Sequence, residues 1–523
     1  MMQRILIIAI FISGSLQKVH TQAHDNVWMF GNTLETTRQD RKGFSILRFS
    51  KDTLEVDSMI ANNDFKFNIT NTSVCNRNGD LLWYTNGVFI MNNKHEVIEN
   101  GHRIKTPITG NFGDILPQGV LVLPFTQKDS QYVLIHGEQE DFKLEEHRYQ
   151  LGMGEVWSSI IDMTENDGLG KVIERKKTIL KDTLASGYIT ATRHGNGQDW
   201  WITIPKDCVA ADCKQNRFFK ILFTPQAVEY IHEQAIGGLM KTGYGQAHFT
   251  PNGSKYIISH SQKVGEQHKV DIYDFDRCTG LLSNYKQLKT DIADADPTDG
   301  HDFGSSLAIS SNSRFAYLIM GNRIIQIDLW AEDMQASMQI VARYDGVWDP
   351  LPTNFLFGQL APNGKIYICT GNGSKYLHVI HRPNEKGVAC QVEQRGVVLP
   401  YQNSFSIPNF PNYRLYDLPD SPCDTLGIDD PNRIAVESDT TDQMTVLIDL
   451  YPNPANEVLT IEKINIEQAQ FKLFSATAQL ILEEQLTEDI TTLDISSLPA
   501  GIYFCLVQAS GQAMYSEKLI ITN

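Results

Sequence analysis

One phrase recurs along most of this chain: an aromatic-Gly or small polar start, a short apolar strand, a tight Asn/Gly turn, and a second apolar strand. It reads Tyr244-Gly245-Gln246-Ala247-His248-Phe249-Thr250-Pro251-Asn252-Gly253-Ser254-Lys255-Tyr256-Ile257 in one copy. Two others start at Phe303-Gly304 and Phe357-Gly358, with turns at Ser310-Ser311-Asn312-Ser313 and Pro362-Asn363-Gly364. Weaker copies stand at Ser73 to Tyr84, at Gly119 to Ile135 and at Ile189 to Trp201. Asn-Gly or a small polar cluster between two apolar runs marks a hairpin, because the turn needs positive φ that Gly and Asn tolerate. Each phrase is followed by two further short strands, as at Ile272-Tyr273-Asp274-Phe275 and Ile324-Ile325-Gln326-Ile327.

Four strands recurring every ~50 to 65 residues is the arithmetic of a propeller blade. The expectation is therefore an all-β fold, a β-propeller over residues 24–420, in which radial repetition avoids long open sheet edges. Six complete units fall between Ser73 and Leu399. A seventh is assembled from the late segment Ser404 to Phe410 and early strands near Val27-Trp28-Met29-Phe30 and Phe44 to Phe49. Seven blades is the expected count, with six and eight as the neighbouring solutions.

These phrases resemble the WD40-like or YVTN-type propellers of exported bacterial proteins. The resemblance covers residues 25 to 420 and rests on Trp28-Met29-Phe30-Gly31, Leu81-Leu82-Trp83-Tyr84-Thr85-Asn86-Gly87, Phe275-Asp276-Arg277-Cys278-Thr279-Gly280 and Pro408-Asn409-Phe410-Pro411-Asn412-Tyr413. It implies a fold rather than a function, and no Trp-Asp blade ending recurs.

Both ends read as addresses. Arg4, the apolar run Ile5 to Leu16 and the small residues near Thr21-Gln22-Ala23 follow the order of a secretory signal peptide, residues 1–23, with cleavage expected after Ala23. No later stretch has the roughly 18 consecutive apolar residues of a membrane span. Residues 421–445 turn polar and acidic and read as a linker. Residues 446–523 then show short alternating strands with Gly/Pro/Asn turns, the pattern of a small β-sandwich. This segment resembles the type A C-terminal sorting domain of the type IX secretion system through Tyr451-Pro452-Asn453-Pro454, Leu498-Pro499-Ala500-Gly501-Ile502-Tyr503 and Glu517-Lys518-Leu519-Ile520-Ile521. The usual Asp-x-x-Gly turn is replaced by Ser475-Ala476-Thr477-Ala478-Gln479. The resemblance implies type IX machinery as a partner, export across the outer membrane, removal of the tail, and release or attachment through a surface glycolipid.

The net charge of −17 repels phosphate backbones and anionic lipid, so nucleic acid is not an expected partner. Eight cysteines suit an oxidising compartment but are too sparse for a disulfide scaffold. Cys208 and Cys213 flank a short polar loop, where a loop-closing disulfide is expected and a metal pair is the competing reading. Cys369 and Cys505 lie on apolar strand patterns and read as small buried hydrophobes.

The richest polar stretch runs from Asp291 to Asp302. Asp294, Asp296, Asp299 and Asp302 offer hard oxygen ligands for calcium, although their spacing misses the EF-hand pattern and a solvated acidic loop is the simpler outcome. His136, Glu138, His194, His248, His301 and Asp302 stand near blade strands, and convergence of several on one channel face is what acid–base chemistry requires. The competing reading is structural for each. No His-Glu-x-x-His, Gly-x-Ser-x-Gly or phosphate loop is present. Trp200-Trp201 is a candidate sugar-stacking pair, but strand alternation is expected to turn one of the two inward. The expected function is a secreted or cell-surface binding or scaffold protein, without cofactor, presenting a loop face to protein or glycan. The alternative is an extracellular hydrolase or lyase built on the histidine and carboxylate rim, and dispersal of those residues over separate blades favours binding.

Overall fold

The structure, a computed structural model, describes residues 22–31, 43–60 except 52, 65–105, 113–260 except 126–127, 146–147, 209–210, 226–227 and 241–244, 268–290, 305–424 except 404 and 420, 426, and 447–522 except 465–467, 476–478 and 510–511. The chain divides into two compact units, Met1–Asn432 and Arg433–Asn523.

Among the described residues the first unit contains seven antiparallel sheets in chain order, which agrees with the expected blade count. Blades 1 and 2 have three strands each and blades 3 to 7 have four. Blade 1 is Val27–Phe30, Gly43–Phe49 and Leu54–Ile60; blade 2 is Thr72–Cys75, Leu81–Thr85 and Ile90–Asn92. Blade 3 opens at Val120–Pro124, blade 4 at Thr190–Arg193, blade 5 at Ala247–Phe249, blade 6 at Ser305–Ile309 and blade 7 at Phe355–Leu360. Every hairpin phrase read from the sequence forms the first two strands of a blade, as in the pairing of His248 with Ile257 and of Ala308 with Tyr317.

The first strands lie against one another from blade to blade and form the hub. The small residue at the start of the phrase is a consequence of that crowding. A Cβ on Gly358 would meet Ile319 Cδ1 of blade 6 at 2.4 Å, and one on Gly245 would meet Tyr188 Oη, at the start of blade 4, at 2.5 Å. A side chain at either position presses on the neighbouring blade.

Ring closure differs from the expectation. Blade 1 is built from N-terminal strands alone, and residues 405–413 form no strand. Instead Asn409 is threaded into the hub. Its backbone N–H donates to Asn71 O, and its Nδ2 donates to Val120 O (2.8 Å) and Ile189 O (3.0 Å), groups that belong to blades 2, 3 and 4. The Asn409 side-chain oxygen accepts from Gln118 Nε2 (3.1 Å), and Gln118 pairs in turn with both backbone groups of Ala247. Blade 1 meets blade 7 through Ser45, whose hydroxyl bonds the backbone of Tyr401. A bolt with many polar contacts replaces a shared blade because a sheet edge is satisfied equally by side-chain amides.

Trp200 and Trp201 are both buried, 1% and 3% exposed, so alternation turns neither to solvent. A blade is covered on both faces by its neighbours. Trp200 packs toward Tyr413 on the hub side, and Trp201 joins the Tyr256 and Tyr273 cluster of the next blade.

The second unit forms two sheets. Leu447–Tyr451, Val458–Ile464 and Ile490–Asp494 make one; Leu480–Leu486, Ala469–Ser475, Gly501–Ala509 and Gln512–Ile521 make the other. Leu450, Leu459 and Ile461 from the first meet Phe471, Leu473, Cys505 and Val507 from the second in one core, which is a β-sandwich.

The cysteine expectation is corrected. Cys208 and Cys213 are free thiols, and the bridge joins Cys278 to Cys423, with Cα atoms 5.5 Å apart. The 208–213 loop is closed by its backbone, Cys213 N–H donating to Cys208 O, while the Cys208 thiol donates to Gln215 O. Cys423, read as linker, is thus fastened to the turn after the third strand of blade 5. Arg277 beside it donates to the carbonyls of Arg193, His194, Tyr416 and Asp417. Cys369 and Cys505 are buried within strands.

Candidate binding cavity at the hub

The histidines do not converge. His136 lies in blade 3, fully buried, its Nε2 hydrogen-bonded to Ser159 Oγ (3.0 Å) and its ring edge-on to Trp157. Desolvation, helped by the nearby Lys105 charge, pushes its pKa down to about 3. Glu138 is two residues further along the same strand and half-buried. His194 sits in the first turn of blade 4, where it accepts from Asn196 N–H and bonds the Cys278 carbonyl, serving the strap that the disulfide fastens. His248 is in blade 5. His301, Asp302, Asp294, Asp296 and Asp299 lie outside the described residues. Among the described residues no group of three or more metal-binding side chains is assembled.

What does converge is a cavity of about 270 Å³ where the first hairpin turns of blades 5, 6 and 7 meet the returning segment. Its walls include His248, Phe249 and Pro251 of blade 5, Ala308, Ile309 and Ser311 of blade 6, and Gln359, Leu360 and Pro362 of blade 7. Phe410, Pro411, Asn412, Arg414 and, from the N-terminal end, Asp25 complete it. The local sequence explains the shape. His248 and Gln359 each stand three residues before the proline of their hairpin turn, so the repeat places both at the same height on either side of blade 6. The corresponding position of blade 6, three residues before Ser311, is Ala308, which also lines the cavity.

The electrostatics are particular. Asp25 and Arg414 neutralise each other through two hydrogen bonds, 2.9 and 2.7 Å. Asn412 donates to Pro251 O. Two polar atoms remain without a protein partner, His248 Nε2 and Gln359 Oε1, in side chains that are 9% and 6% exposed. Burial lowers the His248 pKa to about 4, against a hydrogen bond to the Leu307 backbone that works the other way. The ring is therefore neutral at pH 7. Since Nε2 has no partner, the bond to Leu307 belongs to Nδ1–H, which leaves Nε2 a hydrogen-bond acceptor. The cavity is thus lined by the two residues that carry these buried acceptors, by apolar walls from Phe249 and Phe410, and by no uncompensated charge. Sequence reasoning selected His248 but missed Gln359, Asp25 and Arg414; the polar residue three before the turn proline was the available signal.

Residues 449–522 match the secretion system C-terminal sorting domain family. The C-terminal sandwich is a type IX sorting domain. It engages the type IX machinery, and the protein is exported to the cell surface or the extracellular space. Among the described residues no helix is long and apolar enough to cross a membrane. A curated relative of this exported propeller is Ulvan lyase NLR42 of Nonlabens ulvanivorans, 26% identical over 122 residues. The match spans 23% of this chain and 23% of that protein. Solved structures with similarity include a putative 6-phosphogluconolactonase from Bacteroides uniformis, at 14% identity and a TM-score of 0.37 over 72% of this chain and 97% of that one. PorZ, a surface component of the type IX secretion system of Porphyromonas gingivalis, matches at 10% identity and a TM-score of 0.32, over 92% of this chain and 63% of that one. These likenesses assign neither an activity nor a ligand.

Proposed function

We propose that this exported propeller is a binding protein that takes a neutral saccharide unit into the hub cavity. The observation that carries the reading is that the two residues with unpartnered buried acceptors, His248 (Nε2) and Gln359 (Oε1), both line one small apolar-walled cavity. Buried polar atoms are costly unless paired, so the site favours a ligand that brings donors. A sugar ring supplies hydroxyl donors at its edge and C–H faces for Phe249 and Phe410, and it carries no charge to compete for Arg414. A volume near the lower end of small-molecule sites, which run from roughly 300 to 1,000 Å³, suits one monosaccharide-sized unit. The dispersal of His136, His194 and His248 over three blades supports binding over catalysis.

The test is a glycan array of mono- to hexasaccharides plus ulvan, probed with the exported chain and with Gln359→Leu. Binding by the wild type that falls about tenfold or more in the variant, roughly one buried hydrogen bond, is expected. Binding that ignores the substitution, or none, overturns the reading. The second reading, an extracellular hydrolase or lyase, is favoured by the match to Ulvan lyase NLR42. Incubation with ulvan separates the two: release of new chain ends supports the enzyme, and retention of intact polymer supports the binding protein.

A further inference from the structure

Trp330 is 63% exposed, as Trp348 is at 62%, and it has a guanidinium beside its ring. It follows the third strand of blade 6, Arg323–Asp328, so it stands on the face that carries the first hairpin turn of that blade. Its backbone N–H donates to Asp328 Oδ1 (3.1 Å), and Leu329 N–H donates to Arg314 O. The Arg314 guanidinium is fixed by three contacts to Asp328, Nε to Oδ1 at 3.1 Å and to Oδ2 at 3.3 Å and Nη2 to Oδ2 at 2.8 Å, and lies 5.4 Å from the Trp330 ring centroid. Arg314 closes the same hairpin turn whose Ser311 lines the hub cavity. A four-residue turn spans less than about 7 Å, so cavity and indole are separated by one turn and one side chain.

An exposed indole offers a broad flat face with two side-chain torsions to order when it is covered. Arg314, which lies beside the indole at the end of that turn, is already paired with Asp328. A protein partner needs a patch of the order of 800 Å² per side, whereas this feature is a single ring beside a ring-sized hole. We infer that Trp330 is the stacking platform of a second subsite, and that the ligand is an oligosaccharide with one unit in the hub cavity and a following unit on the indole. This inference rests on the cavity reading above and adds to it chain length and direction.

The experiment titrates the exported chain with glucose, mannose and galactose and with their β1,4-linked tetrasaccharides, by calorimetry and by tryptophan fluorescence. At least one tetrasaccharide is expected to bind about tenfold tighter than its monosaccharide. Trp330→Ala is expected to abolish that gain and leave monosaccharide affinity unchanged, Trp330→Tyr to retain most of it, and Gln359→Leu to weaken both ligands. A gain that survives Trp330→Ala, or a tetrasaccharide no tighter than its monosaccharide, overturns the second subsite while leaving the cavity reading in place. Failure of every saccharide to bind the wild type removes both. Since the Trp330 side chain is exposed, its loss leaves the fold intact, and unchanged thermal melting of the variant checks this.

Discussion

Arg414 and Asp25 are 389 residues apart in sequence and face each other through two hydrogen bonds, with Arg414 also donating to Asn26. The pair ties the segment that leaves the last blade to the residues that enter the first. Asp25 is nearly buried at 7% side-chain exposure, while Arg414 is 35% exposed, so solvent screens part of the attraction. Removing one partner of a fully buried pair costs 3–5 kcal/mol and an exposed pair is worth less than about 1, which places this case between them. Arg414→Met is expected to lower unfolding free energy by about 1–3 kcal/mol in urea with an unchanged m-value. A midpoint indistinguishable from wild type would show that the ring closes without this contact.

The Cys278–Cys423 bridge encloses a sequence separation of 145 residues. In the chain-entropy model a loop of that length restricts the unfolded state by about 5 kcal/mol, an upper bound because the denatured chain keeps some structure. Reduction, or Cys423→Ser, is expected to destabilise the propeller by roughly 2–5 kcal/mol and to free residues 415–424 for proteolysis. Limited proteolysis of the reduced and oxidised chain, followed by mass analysis, decides it. Equal cleavage rates in the strap would mean that the Arg277 contacts to Tyr416 and Asp417 suffice alone.

The blades were legible because a hairpin is local: its turn chemistry and both strands fall within about fifteen residues, and each such phrase became a blade opening. Closure was not legible in the same way. The segment around Phe410 was expected to be a strand of the closing blade and forms none, and nothing local in Pro408-Asn409-Phe410 announces that Asn409 bonds Val120 and Ile189. At Trp200-Trp201 the expected inward ring is buried and the expected outward one is buried too, since alternation separates two faces but does not say that a neighbouring blade covers each. Cys208 and Cys213 were paired by proximity in sequence, whereas Cys278 and Cys423 meet through the fold. At the cavity, aligning the repeats on their glycine starts hid the match between His248 and Gln359, which stand three and one residues after Gly245 and Gly358 but equally far from the turn proline.

Acid is expected to unfold the propeller early. His24, His136, His248 and His378 are buried, and desolvation lowers their pKa values from 6.5 to about 4, 3, 4 and 3. Each folded value lies below the unfolded one, so the unfolded chain takes up protons first as pH falls. Their contribution is whole above pH 6.5 and is lost progressively down toward pH 3–4. At about 1.4 kcal/mol per pH unit for each group, several kcal/mol disappear by pH 4.5. Urea midpoints at pH 7, 5.5 and 4.5 should fall steeply. Replacing His136 by Gln, which keeps a donor for Ser159 and cannot protonate, should flatten part of that slope; an unchanged slope would remove His136 from the account.

The hub bolt gives the sharpest test of how the ring is held. Asn409 Nδ2 donates to two carbonyls, Val120 O and Ile189 O, while its Oδ1 accepts from Gln118, whose amide also holds Ala247 of blade 5. Asn409→Leu keeps the branching and heavy-atom count but leaves two buried carbonyls and one buried amide without this partner, and each orphaned group costs ~1–3 kcal/mol. A loss of about 3 kcal/mol or more is therefore expected, larger than for Arg414→Met because the hub excludes water. Gln118→Leu should cost a similar amount, and the double variant less than the sum, since the two amides bond each other. Strict additivity in that cycle would mean that Asn409 and Gln118 act on separate blades and that no continuous bolt crosses the hub.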